Sequence, residues 1–213
     1  MNLPFSHDAF LDVFGAFNTA LWPGAALLWM ATAWLAIRWL RFGRLGGRTS
    51  FTLLAAHWAW SGVAYHWFFF RAINPAALLF GAAFVVQAAL FAILVRTARG
   101  RVDEGLTIRG VAGRILVFYG LLYPVLGLAF GLRYPRLPLF GVPCPTTLVT
   151  AGWLMASTGV PRFVSIVPLL WAGIGSIAAV SLGVRADFAL IAAGIGLALD
   201  MVVPRARPAH LPA

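Results

Sequence analysis

Lysine is missing from this sequence, acidic residues number only six, and cysteine occurs once. Charged residues make up 10% of the 213 positions, against roughly a quarter in an ordinary soluble domain. A water-exposed surface built from this composition would have almost nothing to solvate it, which excludes a conventional soluble domain. The lone Cys144 excludes an intrachain disulfide. No Asp or Glu falls in the middle of an apolar run, since Asp187 and Asp200 stand near the two ends of the last one. That removes weight from proton antiport, which relies on carboxylates inside the membrane. No HExxH, P-loop or GxSxG sequence occurs, so no cofactor is expected and an enzyme is disfavoured. Four methionines are too few to line a copper path. The first residues lack a basic region and a small-residue cleavage site, so no removable signal peptide is expected.

What the chain does contain is apolar length. Hydrophobic residues reach 62% and the mean hydropathy is +0.89, so lipid is the natural solvent. A spanning helix takes roughly 20 residues, and seven spans with short connections use up the whole length. The expected fold is an all-α polytopic membrane helix bundle of about seven transmembrane helices, preceded by an amphipathic interfacial helix. It forms one domain over 1–203, with 1–22 interfacial, and 204–213 is a disordered cytoplasmic tail.

Along the chain, 6–21 places Phe10, Val13, Phe14, Phe17 and Leu21 on one helical face and Asp8, Asp12 and Thr19 on the other. That is the pattern of a helix lying in the membrane interface. The first span is expected over 23–40, with Pro23 at its first helical position, where a missing N–H costs nothing. The second covers 50–70 and the third opens after Ile73-Asn74-Pro75 and ends near Val95. A polar connection, 96–110, precedes the fourth span over 111–131. A short fifth segment over 146–157 is long enough only for a thin or partly re-entrant span. The sixth covers 162–183 and the seventh 186–203.

The 16 basic residues, which set a net charge of +10, are all arginine and lie between the apolar runs. Nucleic-acid binding would cluster them on one soluble face, so none is expected. With the N-terminus outside, twelve fall on the inner side: Arg38, Arg41, Arg44, Arg48, Arg96, Arg99, Arg101, Arg109, Arg114, Arg162, Arg205 and Arg207. Four fall outside: Arg71, Arg133, Arg136 and Arg185. The positive-inside rule then reads N-out/C-in, in the cytoplasmic (inner) membrane of a bacterium.

This orientation faces the N-termini of odd-numbered helices outward, with their free N–H groups and positive dipole ends. Cys144 stands between two prolines that force extended backbone and keep it out of a helix interior. At the mouth of the fifth helix the dipole would favour a reactive or metal-binding thiolate; the plainer reading is a structural cysteine in a rigid loop. His57 and His66 both lie in the second span. Nine residues of regular helix turn through about 900° and rise roughly 13.5 Å, so the two cannot share a metal or a haem. Polar groups in lipid are costly and are candidates for function, and Gln87 reads as a hydrogen-bonding link between helices.

A resemblance covers nearly the whole chain. Asn18 and Trp22-Pro23, Tyr65-His66-Trp67, Ile73-Asn74-Pro75-Ala76-Ala77 and Phe140-Gly141-Val142-Pro143-Cys144-Pro145-Thr146-Thr147 follow in order. Together they resemble the bacterial integral-membrane family catalogued as domain of unknown function 6064. The resemblance implies a membrane protein without an assigned activity.

The expected function is that of a small-solute or soft-metal permease or binding protein. Its outward-facing polar site would comprise Cys144, His66, Asn74, Tyr134 and Asp187, with Arg71 and Arg133 attracting anionic cargo and Cys144 with His66 as metal ligands. Two other readings stay open: a membrane enzyme using the Cys144 thiolate with His66 as base, and a non-catalytic subunit of a membrane complex. The lipid bilayer is the one certain partner class, and the oligomeric state is left open. The topology is directly measurable: a reporter fused within 73–75 is expected to read external and one at the C-terminus cytoplasmic, and a translocated tail would overturn the orientation.

Overall fold

The structure is a computed structural model that describes residues 4–97, 100–102 and 107–203. The expected tail, 204–213, and the acidic pair Asp103 and Glu104 lie outside the described residues.

The chain opens with α1, His7–Phe42, a single helix of 36 residues. Ser6 caps it by accepting the Ala9 N–H at 3.1 Å, and Gly43 ends it with φ 74°, a left-handed cap that a side chain would strain. This corrects the expected division into an interfacial helix over 1–22 and a span from 23. Pro23 lies inside the helix rather than at its start. Tertiary contacts override the break that a proline favours. Phe17 stacks edge-on against Trp60, Tyr65 and Phe69. The Asn18 amide donates to the Pro135 and Leu137 carbonyls at 2.7 and 2.6 Å. Asp8 and Asp12, read as a solvent face, form ion pairs with Arg136. The segment is therefore docked onto the rest of the chain.

The second helical run is α2, Gly47–Trp60, which passes into a π-helical stretch, Ser61–Phe69, and a 3-10 turn, Phe70–Ala72. The third, α3, is Ala77–Arg96, and Asn74 closes the turn before it by accepting the Ala76 N–H at 3.0 Å. The fourth, α4, is Ile108–Ala129, capped by the Thr107 side chain. The fifth, α5, is Pro143–Met155. A 3-10 turn, Arg162–Ser165, leads into α6, Ile166–Leu182, and another, Arg185–Phe188, into α7, Ala189–Val202. Gln87 acts as expected, its amide donating to the Val164 carbonyl at 2.9 Å.

These seven helical runs alternate in direction between two ends of one bundle. At one end the 43–46 connection pairs with Val102, and β1, Arg101–Val102, pairs antiparallel with β2, Ser157–Thr158. Arg44, Arg101, Arg109 and Arg162 gather there. Arg109 forms an ion pair with Asp200, and the Arg162 guanidinium donates to the Val203 carbonyl at 2.9 Å. At the other end His7 bonds the Leu182 carbonyl at 2.8 Å, joining the start of α1 to the α6–α7 connection.

Helix α5 occupies the centre, packed against α4, α7, α6 and α2. Nearly every residue from Pro143 to Leu154 is buried. The expected thin span is thus a core helix, and a helix shielded from lipid needs neither a lipid-spanning length nor an apolar exterior. Small residues let its neighbours close in, as in membrane bundles generally. Gly113 of α4 faces Gly152 so tightly that a Cβ on either would stand 2.4 Å from the other's carbonyl oxygen. The Trp58 indole N–H donates to the Thr150 hydroxyl at 2.8 Å, and Thr150 itself donates to the Thr146 carbonyl.

The outward surfaces are the reverse of a soluble protein's. Leu27, Ile37, Leu79, Ile115, Val180 and Val202 are all exposed. Among the described residues four helices are long and apolar enough to cross a membrane: His7–Phe42, Ala77–Arg96, Ile108–Ala129 and Arg162–Leu182. By that measure the expected seven spans reduce to four, because α5 and α7 are short and α2 is interrupted by its change of winding. Gly113→Ala is expected to lower stability by roughly 1–3 kcal/mol through overpacking, read as a fall in the thermal midpoint in detergent. Gly173→Ala, where nothing lies within 4 Å of the added methyl, serves as the matched control and should leave the midpoint unchanged.

Candidate functional site

A cavity of about 260 Å³ lies at the end of the bundle opposite the β1–β2 pair. Its walls come from the start of α1, the π-helical stretch, the first turn of α5, α6 and the turn before α7. Seven of its seventeen lining residues are aromatic, and most of the others are apolar. Phe10 packs edge-on against Phe14 at 4.8 Å, Tyr65 stacks on Phe70 at 5.6 Å, and Phe80 meets Trp171 edge-on at 5.3 Å.

The polar wall is built from three segments distant in sequence. Asp187 sits in the 3-10 turn Arg185–Phe188 and is only 4% exposed. Two tyrosines one turn apart on α4 hold that turn in place. The Tyr119 hydroxyl donates to the Ala186 carbonyl at 2.9 Å, and the fully buried Tyr123 donates its hydroxyl to the Asp187 carboxylate in a short hydrogen bond. The Cys144 thiol lies against the same carboxylate, beside Tyr123 and Trp171. Among the described residues Asp187 has no cationic partner; its neighbours are neutral donors.

The expected site residues separate into four groups. Cys144, Asn74 and Asp187 do line one cavity. His66 stands behind the wall, edge-on to Phe84 at 4.8 Å and to Trp171 at 5.0 Å, and is fully buried with no hydrogen-bond partner at either ring nitrogen. Tyr134 belongs to a different cavity of about 430 Å³ lined also by Trp22, Trp29 and Pro124. Arg71 and Arg133 are exposed and outside the lining of either cavity, so the anion-attracting role assigned to them has no geometric basis.

Two chemical expectations change with this geometry. Cys144 does sit at the mouth of α5, but its backbone is helical rather than extended, because Pro143 occupies the first helical position and Pro143, Cys144 and Pro145 all fall in the first turn. The thiol's close neighbour, however, is a carboxylate: a thiolate there would face Asp187 with no cation between them, and His66 is not beside it to act as a base. The nucleophile reading loses its electrostatic footing. Among the described residues no three His, Cys, Asp or Glu side chains gather to hold a metal ion, so Cys144 and His66 do not form part of a metal-ligating cluster. The two histidines face different neighbours, although the helix between them changes to π-helical winding at Ser61. His57 donates to the Thr32 hydroxyl of α1 at 2.8 Å, Thr32 giving its own proton to the Leu28 carbonyl, whereas His66 faces α3 and α6.

Tyr123, Tyr65 and Trp171 escaped sequence reasoning. The Tyr119/Tyr123 spacing of four was the available signal, since it places two hydroxyls on one helix face, but only the fold shows what they hold. A family model described as a family of unknown function (DUF6064) matches residues 7–212. The chain belongs to that family. The match spans both the Asn18 clamp and the Pro143-Cys144-Pro145 turn that forms part of the cavity wall. No curated protein and no solved structure matches the chain.

A carboxylate buried beside neutral groups costs stability unless something else compensates for it. Asp187→Asn, which keeps an acceptor for Tyr123, is expected to raise the unliganded protein's stability by about 1–3 kcal/mol. Tyr123→Phe, which strips the carboxylate of a donor, is expected to lower it by a similar amount. Thermal unfolding in detergent checks both, and a loss of stability in Asp187→Asn would contradict the account.

Proposed function

We propose that this is a polytopic protein of the bacterial cytoplasmic membrane that binds a small solute in the cavity bounded by Asp187, Cys144 and Asn74. In this reading all seven helical runs cross the bilayer, with the N-terminus outside and the C-terminus in the cytoplasm. The arginine-rich end of the bundle faces the cytoplasm, in keeping with the positive-inside rule, and the cavity then opens near the outer face. Helices α5 and α7 are short for a crossing. Helix α5, enclosed by its neighbours, need not match the hydrocarbon thickness by itself, whereas α7 turns an apolar face outward through Ile191, Ile195 and Leu199.

The observation that carries the proposal is the pairing of a preformed, mainly apolar cavity rich in aromatic rings with one buried carboxylate. Ligand sites are typically concave and mostly apolar, with a few placed polar groups that orient the ligand. An uncompensated acid retained at such a place reads as selected for binding rather than for folding. The arrangement supports binding more directly than open conduction. Beneath the cavity the bundle is filled by Trp58, Leu148 and Trp153, all fully buried, and a permease cycle would require these helices to move apart.

Ala178 of α6 lines the cavity, and Ala178→Phe places a ring inside it. A panel of small solutes is expected to raise the thermal midpoint of the wild-type chain in detergent, with the shift lost in Ala178→Phe and the unliganded midpoint changed by only a few degrees. Solute-dependent shifts that persist undiminished in the filled variant would show that binding takes place elsewhere.

A further inference from the structure

We infer that the cavity takes a small organic ammonium ion, with Asp187 as its counter-charge and the surrounding rings as its cage. The inference rests on the solute-binding reading above and names the ligand class for that same site.

Three observations converge on it. First, Asp187 is 4% exposed and the groups against it, Tyr123, Cys144 and Trp171, are neutral. Breaking or omitting one half of a buried ion pair is strongly destabilising, so a cation supplied from outside is what this carboxylate lacks. Second, Phe10, Phe14, Tyr65, Phe70, Phe80 and Trp171 all line the same space. Ring faces attract cations through their quadrupoles, and the attraction grows as water is removed. A quaternary ammonium ion, with no N–H group, is weakly hydrated and loses less than a primary one on entering such a cage. A compact metal ion would lose far more, and the described residues offer it no cluster of three ligands. Third, the size fits. A dry cavity of roughly 150 Å³ admits benzene, so the ~260 Å³ here accommodates a cation of slightly greater bulk.

The charged groups at this end of the bundle do not oppose the assignment. Arg71, Arg133 and Arg185 are exposed and outside the lining, where water and salt screen them. Asp8 and Asp12 are engaged with Arg136 on the outer side of α1. The lining itself contains one ionisable acid, Asp187, and no Lys, Arg or His.

Choline and its uncharged isostere 3,3-dimethylbutan-1-ol differ only in the quaternary nitrogen and so separate charge from shape. Equilibrium dialysis of the full chain in detergent with radiolabelled choline, competed by either compound, is the test. Choline is expected to bind saturably, the alcohol to compete about tenfold more weakly or worse, and Asp187→Asn to weaken choline by about tenfold while leaving the alcohol unchanged. Trp171→Phe, which keeps a ring in the cage, is expected to retain the preference for charge. The wild-type comparison of the two compounds needs no variant, so misfolding of a mutant cannot hide the answer. Equal affinity for the two, or choline affinity unchanged in Asp187→Asn, would overturn the cation assignment and leave a neutral-solute cavity. Binding of neither compound would also overturn it, while the solute panel on Ala178→Phe judges the broader reading separately.

Discussion

The bundle depends on how closely α4 and α5 approach each other. At Gly113 and Gly152 the two backbones meet with no side chain between them, and each glycine fills the space a methyl group would need. This contact lets a helix of 13 residues sit at the centre instead of facing lipid. Once α5 is central, its first turn, with Cys144 flanked by two prolines, is held at the wall of the cavity. Tyr123 also lies on α4, so the same packing aims its hydroxyl at Asp187. A wider separation of α4 and α5 would loosen the core and the site together.

Several buried polar groups find a partner on another element, although others, His66 among them, have none. Trp58 donates to Thr150, Gln87 to Val164, His57 to Thr32 and Tyr119 to Ala186. Such bonds tie helices together where no water competes. Asp187 differs in charge, because its partners are neutral. Asp200, the other acid buried at a bundle end, has Arg109. The contrast makes the first carboxylate the place where folding alone does not account for the residue, and that is where the binding proposal is placed.

The membrane character, the helical class and most helix positions were legible in the residues. Composition excluded a soluble exterior, and the apolar runs located α3, α4 and α6 to within a few positions. The helix expected after Ile73-Asn74-Pro75 does begin there, at Ala77, with Ala76 as its cap and Asn74 in the turn before it. Cys144 and Asp187 were read as neighbours in a polar site, although 43 positions separate them, because topology placed both at one end. Reasoning from placement at one end has a limit, however. It also gathered Tyr134, Arg71 and Arg133, which share the end but not the cavity. Proximity along the membrane normal says nothing about which helix stands beside which.

Hydropathy is a property of the chain read in order, and it indicated on its own a helical chain with apolar runs compatible with a membrane. It could not determine that Pro23 would lie within a helix, since the Asn18 clamp and the Arg136 ion pairs that dock the start of α1 come from residues more than a hundred positions away. Nor could it reveal that the shortest helix is the innermost, or that the thiol at its mouth faces a carboxylate. Those outcomes depend on lateral packing, on which small residues allow two backbones to touch, and only the tertiary structure decides that.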